Sequence, residues 1–291
     1  MTALQVGLDL PTSAATGADP VADARAAEAL GYDFVSASDH PSGDNPTFET
    51  WTLLAWVAAS TSRIQVASRV LGVPYRPPPM VAKMAETLDR LSDGRLILGL
   101  GGGYSDDEFR AFGLKVPTPR EKVDGLEEAI DIIRGLWSEP SFTYPGTQFQ
   151  TQDAALEPKP DRHIPIWLGT FGPRALTLTG RLADGWIPSL GGAPPEQVPA
   201  MRGRILRGAH DAGRDPADLT CAYNVQVRIE AQSHAPSSIV SGSAEAVTER
   251  LLSFRDLGFT AVNLTPVGPD RREQVEQLAR DVLPDLRAAW A

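Results

Sequence analysis

An acid and an imidazole end a stretch of the chain that otherwise has the composition of a buried strand. The stretch reads FVSASDH, and it finishes on Asp39 and His40 directly before a proline. Imidazole titrates near neutral pH, so a histidine at a strand end is suited to proton transfer. A strand that simply turns into solvent would carry the same residue types. Whether Asp39 and His40 serve chemistry therefore depends on the place of this strand in the fold.

A run of glycines forms a second candidate site. The sequence LILGLGGGY places Gly101, Gly102 and Gly103 at the end of an apolar segment. The run lacks the G-x-G-x-x-G spacing of a dinucleotide fingerprint, and no clear acidic partner follows about 20 residues later. We interpret the glycines as positions where a flat ligand lies against the main chain. Close packing of a strand is the alternative.

The segment GTFGPR, residues 169–174, has features of a phosphate site. Pro173 suits the first position of a helix, and Arg174 follows it. Main-chain amides converge at such a helix start and bind anions there. Lys159 and Arg162 lie nearby in sequence and would add positive charge that this acidic chain otherwise lacks. An ordinary turn between strand and helix is the alternative.

Metal and serine-nucleophile chemistry find no support in the sequence. No His-Glu-x-x-His motif, cysteine pair or Gly-x-Ser-x-Gly elbow occurs, and the histidines have no paired-ligand spacing: His40, His163, His210 and His234. We therefore expect no metal. The single cysteine, Cys221, lies in LTCAYNVQV and suits a buried position rather than a nucleophile.

The elements that would position these residues are short β-branched runs alternating with amphipathic stretches. This alternation is typical of strand–helix units around a parallel sheet. We predict strands at residues 4–10, 33–39, 64–73, 96–103, 164–170, 185–189, 220–229 and 261–267. We predict helices at residues 19–30, 50–60, 80–91, 120–137, 173–183, 195–211, 244–257 and 271–290, with an extra turn at 105–113.

Eight such units predict an α/β fold, a (β/α)8 TIM barrel, rather than an open doubly wound sheet. We expect a single domain over residues 1–291, with a hairpin-like insertion at residues 138–165, before the fifth strand. Ligands bind at the C-terminal strand ends of such barrels. This placement favours the functional interpretation of Asp39 and His40.

The composition limits the partners. The 291 residues are 42% hydrophobic and carry a formal net charge of −10, which argues against nucleic-acid and anionic-membrane partners. No basic N-terminal leader and no apolar stretch of about 20 residues is present, so we expect a cytoplasmic protein. We expect a small-molecule substrate and a homo-oligomer, a dimer.

Four segments together resemble the bacterial luciferase-like oxidoreductases, especially their deazaflavin-dependent branch. The segments are LGYDFVSASDH, VLGVPYRPPPMVAKMAETLDRLSDGRLILGLGGGY, IPIWLGTFGPRALTLTGRLADGWIPS and SGSAEAVTERLLSFRDLGFTAVNL, in the same order as in the family. The resemblance implies a TIM barrel that seats a deazaflavin, coenzyme F420, and passes hydride to or from its C5 position. It also implies a non-prolyl cis peptide at Arg69–Val70, in a bulge that supports the ring.

The resemblance assigns roles to individual residues. Asp39 matches an acid near the polar edge of the ring, and His40 matches a histidine near the reacting carbon. We predict His40 and Tyr104 as catalytic candidates. The predicted cofactor-binding residues are Asp39, Arg69, Val70, Gly102, Gly103, Gly169, Thr170, Phe171, Gly172 and Arg174.

Two positions depart from the family pattern. Tyr104 stands where sugar-phosphate dehydrogenase relatives carry a catalytic Glu, which argues against glucose 6-phosphate oxidation. Arg69 stands where many relatives have a small residue, so it adds a charge to the pocket. Two alternatives stay open: an FMN-dependent monooxygenase supplied by a separate flavin reductase, and a barrel that only binds or carries the cofactor.

Overall fold

The computed structural model describes residues 4–231, 236 and 238–290, a part of the chain that contains twelve strands and a closed barrel. In chain order they are β1 (Gln5–Asp9), β2 (Phe34–Ala37), β3 (Gln65–Ser68), β4 (Leu71–Gly72), β5 (Leu96–Gly101), β6 (Phe142–Pro145), β7 (Gln150–Ala154), β8 (Ile166–Leu168), β9 (Gly185–Trp186), β10 (Thr220–Ile229), β11 (Ile239–Gly242) and β12 (Ala261–Pro266). Eight of them pair in parallel in the ring order β1, β2, β3, β5, β8, β9, β10, β12, and β12 pairs with β1. The predicted (β/α)8 TIM barrel is confirmed.

Helices surround the barrel and connect its strands. They are α1 (Pro20–Ala29), α2 (Thr50–Ser60), α3 (Pro78–Leu91), α4 (Asp106–Ala111), α5 (Pro119–Ser138), α6 (Pro173–Leu182), α7 (Val198–Asp211), α8 (Ala244–Asp256), α9 (Arg271–Gln277) and α10 (Leu283–Trp290). Several helices begin with a side chain that caps the free main-chain amides. At the start of α5, for example, Thr118 and Glu121 form a reciprocal capping box. None of the helices in the described part is long and apolar enough to cross a membrane.

The structure differs from the predicted elements at a few boundaries. The third predicted strand divides into β3 and β4 around the cis peptide Arg69–Val70, which is present as predicted. The strand β11 was not predicted; it pairs with β10 outside the ring. The insertion forms the antiparallel hairpin β6–β7, and the extra turn forms α4. Cys221 is buried, as predicted, whereas His234 lies outside the described residues.

An apolar layer fills the barrel toward the N-terminal strand ends. Its members point inward from seven strands or strand ends: Phe34, Ala67, Ile97, Trp167, Ile187, Ala222 and Ala261. Glycines make room for the two largest rings, because a Cβ at Gly7 would collide with Phe34 and one at Gly185 would collide with Trp167. Apolar side chains therefore fill the interior of the barrel at this end.

Glu28 joins α1 to the segment before β3, and this contact gives a pH-dependent stability. Its carboxylate accepts hydrogen bonds from the main-chain amides of Ser62, Arg63 and Ile64 at 2.6–3.0 Å. Burial opposes the charge, but the amides of Ile64, Arg63 and Ser62 outweigh it and lower the pKa of Glu28 to about 2.

We expect Glu28→Gln to lower the free energy of unfolding at pH 7 by about 1–2 kcal/mol, a value discounted for solvent screening. The pKa is depressed on folding, so this stabilisation is present above the unfolded pKa near 4.5 and is lost as the pH falls toward 2. Urea unfolding of both proteins between pH 7 and 3 measures the difference. A difference that stays constant over this range would contradict the prediction.

Candidate active site

A cavity of about 270 Å³ opens at the C-terminal ends of the barrel strands. Its wall contains nine of the twelve residues predicted as site residues: Asp39, His40, Arg69, Val70, Gly102, Gly103, Tyr104, Gly169 and Phe171. These residues come from the ends of β2, β3, β5 and β8. The barrel therefore gathers positions that are up to about 130 residues apart in sequence (from residue 39 to residue 171).

His40 belongs to a hydrogen-bonded chain of three side chains. Its Nδ1 lies 2.9 Å from Glu108 Oε1, and the Tyr75 hydroxyl donates to Glu108 Oε2 at 2.5 Å. Burial, and then the bond to Glu108, raise the pKa of Tyr75, so this hydroxyl keeps its proton and holds the carboxylate. The imidazole is thus oriented from one side, while about half of its side-chain surface stays exposed. This arrangement is suited to moving a proton at the cavity wall.

Glu108 is a carboxylate of the cavity wall that was not predicted from the sequence. Tyr104, at the position compared with the catalytic Glu of relatives, is 89% exposed, and its ring centre lies 6.2 Å from that of His40. The carboxylate comes instead from α4, whose first turn is capped by Ser105. The cavity wall therefore contains a glutamate although position 104 is a tyrosine. The acidic run SDDEF was visible in the sequence, but not which of its carboxylates turns inward.

Asp39 is buried and occupied by protein groups. Arg76 donates to both carboxylate oxygens at 2.8 and 3.0 Å, and the amide of Gly72 donates to Oδ2 at 3.0 Å. Burial works against the charge of Arg76, but its bonds to Asp39 and then to Glu49 outweigh it and raise the pKa of Arg76. Asp39 therefore holds the segment after β3 in place. It lines the cavity as a carboxylate whose charge is paired with that of Arg76.

One wall of the cavity is made of main chain and a single valine. The side chain of Val70 packs onto two neighbouring strands, where a Cβ would approach its Cγ2 to 2.7 Å at Gly101 and 3.0 Å at Gly169. Gly103 has a φ of +89°, which a residue with a side chain rarely adopts. The glycine run thus packs closely and also lines the cavity, and the interpretation that a flat ligand lies against it stays a prediction.

A polar layer lies next to the apolar layer, one inward position further along the strands, and its members Arg69 and Asn224 line the cavity. Ser36 Oγ donates to Asp9 Oδ1 at 3.2 Å, and Asn263 Nδ2 donates to Ser36 Oγ at 2.9 Å and to Asn224 Oδ1 at 2.8 Å. Arg69 Nε donates to Asp9 Oδ1 at 2.9 Å. All but Arg69 were missed. A sequence pattern could have revealed them. On each of five strands an apolar residue or glycine is followed two positions later by a polar residue, at positions 7 and 9, 34 and 36, 67 and 69, 222 and 224, and 261 and 263.

Three predicted cofactor residues lie outside the cavity wall. The Thr170 hydroxyl is buried against that of Thr179 at 2.7 Å. Gly172 is the N-cap of α6, and a Cβ there would meet no atom within 4 Å. Arg174 pairs with Asp124 and lies 3.8 Å from Glu127, both on α5. The start of α6 is therefore open, but its arginine is committed to the neighbouring helix.

The suggested contribution of Lys159 and Arg162 to the same site is wrong. Arg162 donates to Asp89 and to the carbonyl of Leu96, at the beginning of β5, which is the opposite end of the barrel from the glycines. Lys159 donates to carbonyl groups at the end of α5. Both residues follow the β6–β7 hairpin, and the chain has by then returned to the N-terminal strand ends. In the described part of the chain, no group of three or more His, Cys, Asp or Glu side chains could hold a metal ion.

A closed parallel barrel with a polar, glycine-walled cavity at the C-terminal strand ends defines a barrel enzyme that acts on a small ligand. The chain belongs to the luciferase-like monooxygenase family, whose model matches residues 1–235. The resemblance seen in the sequence is thereby confirmed.

Named relatives and solved structures agree with this membership. The chain is 30% identical over 308 residues to an F420-dependent glucose-6-phosphate dehydrogenase of Kineococcus radiotolerans, covering 90% of each chain. It is 39% identical over 207 residues to an F420-dependent hydroxymycolic acid dehydrogenase of Mycobacterium tuberculosis, covering 68% of this chain and 56% of that one. An F420-dependent secondary alcohol dehydrogenase, solved with an F420-acetone adduct, shares the fold with a TM-score of 0.89 at 20% identity, over 98% of this chain and 99% of that one.

Proposed function

We propose that the chain is a coenzyme F420-dependent oxidoreductase that transfers hydride between the deazaflavin and a small organic substrate. Relatives matched over most of the chain carry names of F420-dependent dehydrogenases, which supports the cofactor. The observation that carries the proposal is the cavity itself, where the His40–Glu108–Tyr75 chain stands in the same wall as the glycine surface.

The cavity fits a flat heterocycle. Gly101, Gly102 and Gly169 add no side chains to the wall, and the apolar side chain of Val70 packs against Gly101 and Gly169. When bound, the deazaflavin supplies the hydride chemistry. We assign Gly102, Gly103 and Val70 to the ring, and the amides at the start of α6 to its phosphodiester.

The remaining chemistry is a proton transfer, which we assign to His40. A hydride added to or taken from a substrate leaves one proton to be moved, and imidazole does this near neutral pH. Glu108 accepts from Nδ1 of the ring, which leaves Nε2 to face the substrate, and Tyr75 holds Glu108. Tyr104, exposed beside His40, is a second candidate that contacts substrate at the rim.

A second candidate function is an FMN-dependent monooxygenase, which the description of the family model favours. Titrating the protein with F420 and with FMN, followed by tryptophan fluorescence, distinguishes the two. We expect F420 to bind at least about tenfold more tightly. Tighter FMN binding, with oxygen consumed when a flavin reductase is added, would overturn the proposal. Tight F420 binding without turnover of any alcohol, ketone or activated alkene would indicate a cofactor carrier. We also propose that the protein is a homodimer and that it is cytoplasmic.

The start of α6 provides a charge-specific test. We expect Gly172→Asp to weaken F420 binding by about tenfold or more at low ionic strength, because an N-cap carboxylate takes the free amides and repels the phosphodiester. Gly172→Asn is the matched control, since it has the same shape and also caps a helix but carries no charge. Both side chains have room in the structure. Equal affinity of Gly172→Asp and the parent, measured on folded protein, would place the phosphate elsewhere.

A further inference from the structure

Arg69 extends across the mouth of the barrel. Its main-chain amide bonds to the carbonyl of Ala37 at the end of β2, and its guanidinium reaches Asp9 at the end of β1. The strand order is β1, β2, β3, so the side chain passes over the end of β2 to reach Asp9. Its guanidinium therefore lies within the opening, where the residue lines the cavity.

The guanidinium uses only one of its two edges. Nε and Nη2 donate to the two oxygens of Asp9 at 2.9 and 3.2 Å. Within the described residues Nη1 makes no hydrogen bond. It is also not one of the buried side-chain nitrogen atoms that lack a hydrogen-bond partner. It is therefore accessible, consistent with the 21% exposure of the side chain. The edge formed by Nη1 and the second hydrogen of Nη2 remains available for a planar acceptor.

This edge is held in place before any ligand arrives. Asp9 also accepts from Ser36 Oγ at 3.2 Å and from Thr265 Oγ1 at 3.4 Å, so its position does not depend on Arg69 alone. Arg271 donates to the main-chain carbonyl of Asp9. Preorganisation of this kind reduces the entropy that binding must overcome.

Arg69 also differs from the other arginine near the cavity. Arg76 is occupied by Asp39 and Glu49, and it does not line the cavity wall. Among the described residues of that wall, Arg69 is the one arginine or lysine. The two carboxylates of the wall, Asp39 and Glu108, are already bonded to protein donors. A ligand anion would therefore find its donor at Arg69.

We propose that Arg69 is a specificity-determining residue that binds a carboxylate on the substrate, so that the substrate class is small organic acids. A guanidinium edge matches the two oxygens of a carboxylate in a bidentate pair. The inference rests on the proposed function for the reaction, but carboxylate binding is measurable without it. Arg69 was predicted from the sequence as a cofactor residue, and the test separates the two roles.

The test compares benzoate with benzamide, which have similar shapes but differ in charge. Isothermal titration of the full-length protein, with and without F420, should show benzoate binding about 10-fold to 100-fold more tightly. Arg69→Met should abolish this preference and leave F420 affinity unchanged. Arg69→Lys, which keeps the charge but loses the second edge, should retain part of the preference. If Arg69→Met fails to fold because Asp9 is left unpaired, the double variant Arg69→Met/Asp9→Asn removes both charges.

Two results would overturn the inference. Equal affinities of the parent for benzoate and benzamide would show that no carboxylate is read. Weaker F420 binding in Arg69→Met, with the benzoate preference retained, would assign Arg69 to the cofactor. Failure of the parent to bind F420, while the benzoate preference depends on Arg69, would overturn the proposed function and support this inference.

Discussion

Replacing His40 by alanine should lower turnover by about 10²–10⁴-fold while the barrel stays folded. The side chain is half exposed at the cavity wall and contributes little packing, so the loss falls on the reaction rather than on stability. The variant removes the imidazole to which we assign the proton transfer and leaves Glu108 bonded to the Tyr75 hydroxyl. The measurement is kcat with saturating F420 and the identified substrate, alongside thermal unfolding of both proteins.

Two further variants separate the contributions of Glu108 and Tyr104 from that of His40. Glu108→Gln keeps a hydrogen-bonding group beside the imidazole but removes the negative charge, so we expect a smaller loss, about tenfold. Tyr104→Phe removes only the exposed hydroxyl and shows whether it takes part. An unchanged rate in His40→Ala with the true substrate would return His40 to the other interpretation of FVSASDH, a strand end that turns into solvent.

The barrel fold could be predicted from the sequence because its strands and helices have strong periodic patterns. Helices with proline at the start and glycine after the end were placed within a few residues, as for α6 and for α8, which Gly258 follows with a φ of +87°. The pattern failed where tertiary contacts decide. β11 is a four-residue strand that exists through its pairing with β10, and the third strand divides at the bulge around Val70.

The site was predictable only as far as it follows strand ends. Asp39, His40 and the glycines were found because they end strands, and a barrel brings strand ends together. Arg174 and Arg162 were chosen by nearness in sequence, but a guanidinium goes to whichever carboxylate its helix or loop faces. Their partners, Asp124 and Asp89, are 50 and 73 residues away.

The polar layer of Asp9, Ser36, Arg69, Asn224 and Asn263 could have been predicted from the sequence. In a barrel the inward positions recur every two residues, and a change from apolar to polar along them marks the depth at which packing ends. Asp9, Asn224 and Asn263 follow this rule. Which of them contact each other depends on the stagger of the strands, which a single sequence does not contain.

Two alanine substitutions on β5, at Gly99 and Gly101, should have large effects for different reasons. A Cβ at position 99 would overlap the main-chain carbonyl of Ser68, while the Ser68 hydroxyl also bonds the amide and carbonyl of Gly99 at 2.9 Å. Pairing of β3 with β5 fixes that carbonyl. We expect Gly99→Ala to lower the free energy of unfolding by about 3 kcal/mol or more, or to prevent folding.

Gly101→Ala instead meets a side chain, because its Cβ would lie 2.7 Å from Val70 Cγ2. We expect a loss of about 1–3 kcal/mol in stability, together with weaker F420 binding, since the methyl group displaces Val70, which we assign to the ring. Adding Val70→Ala should restore much of the stability of Gly101→Ala but little of that of Gly99→Ala, whose Cβ would lie 3.1 Å from Val70 Cγ1 but only 1.9 Å from the carbonyl oxygen of Ser68. Urea unfolding of the single and double variants measures this coupling. Equal rescue of both glycine variants, or of neither, would show that Val70 is not seated against Gly101 as the structure has it.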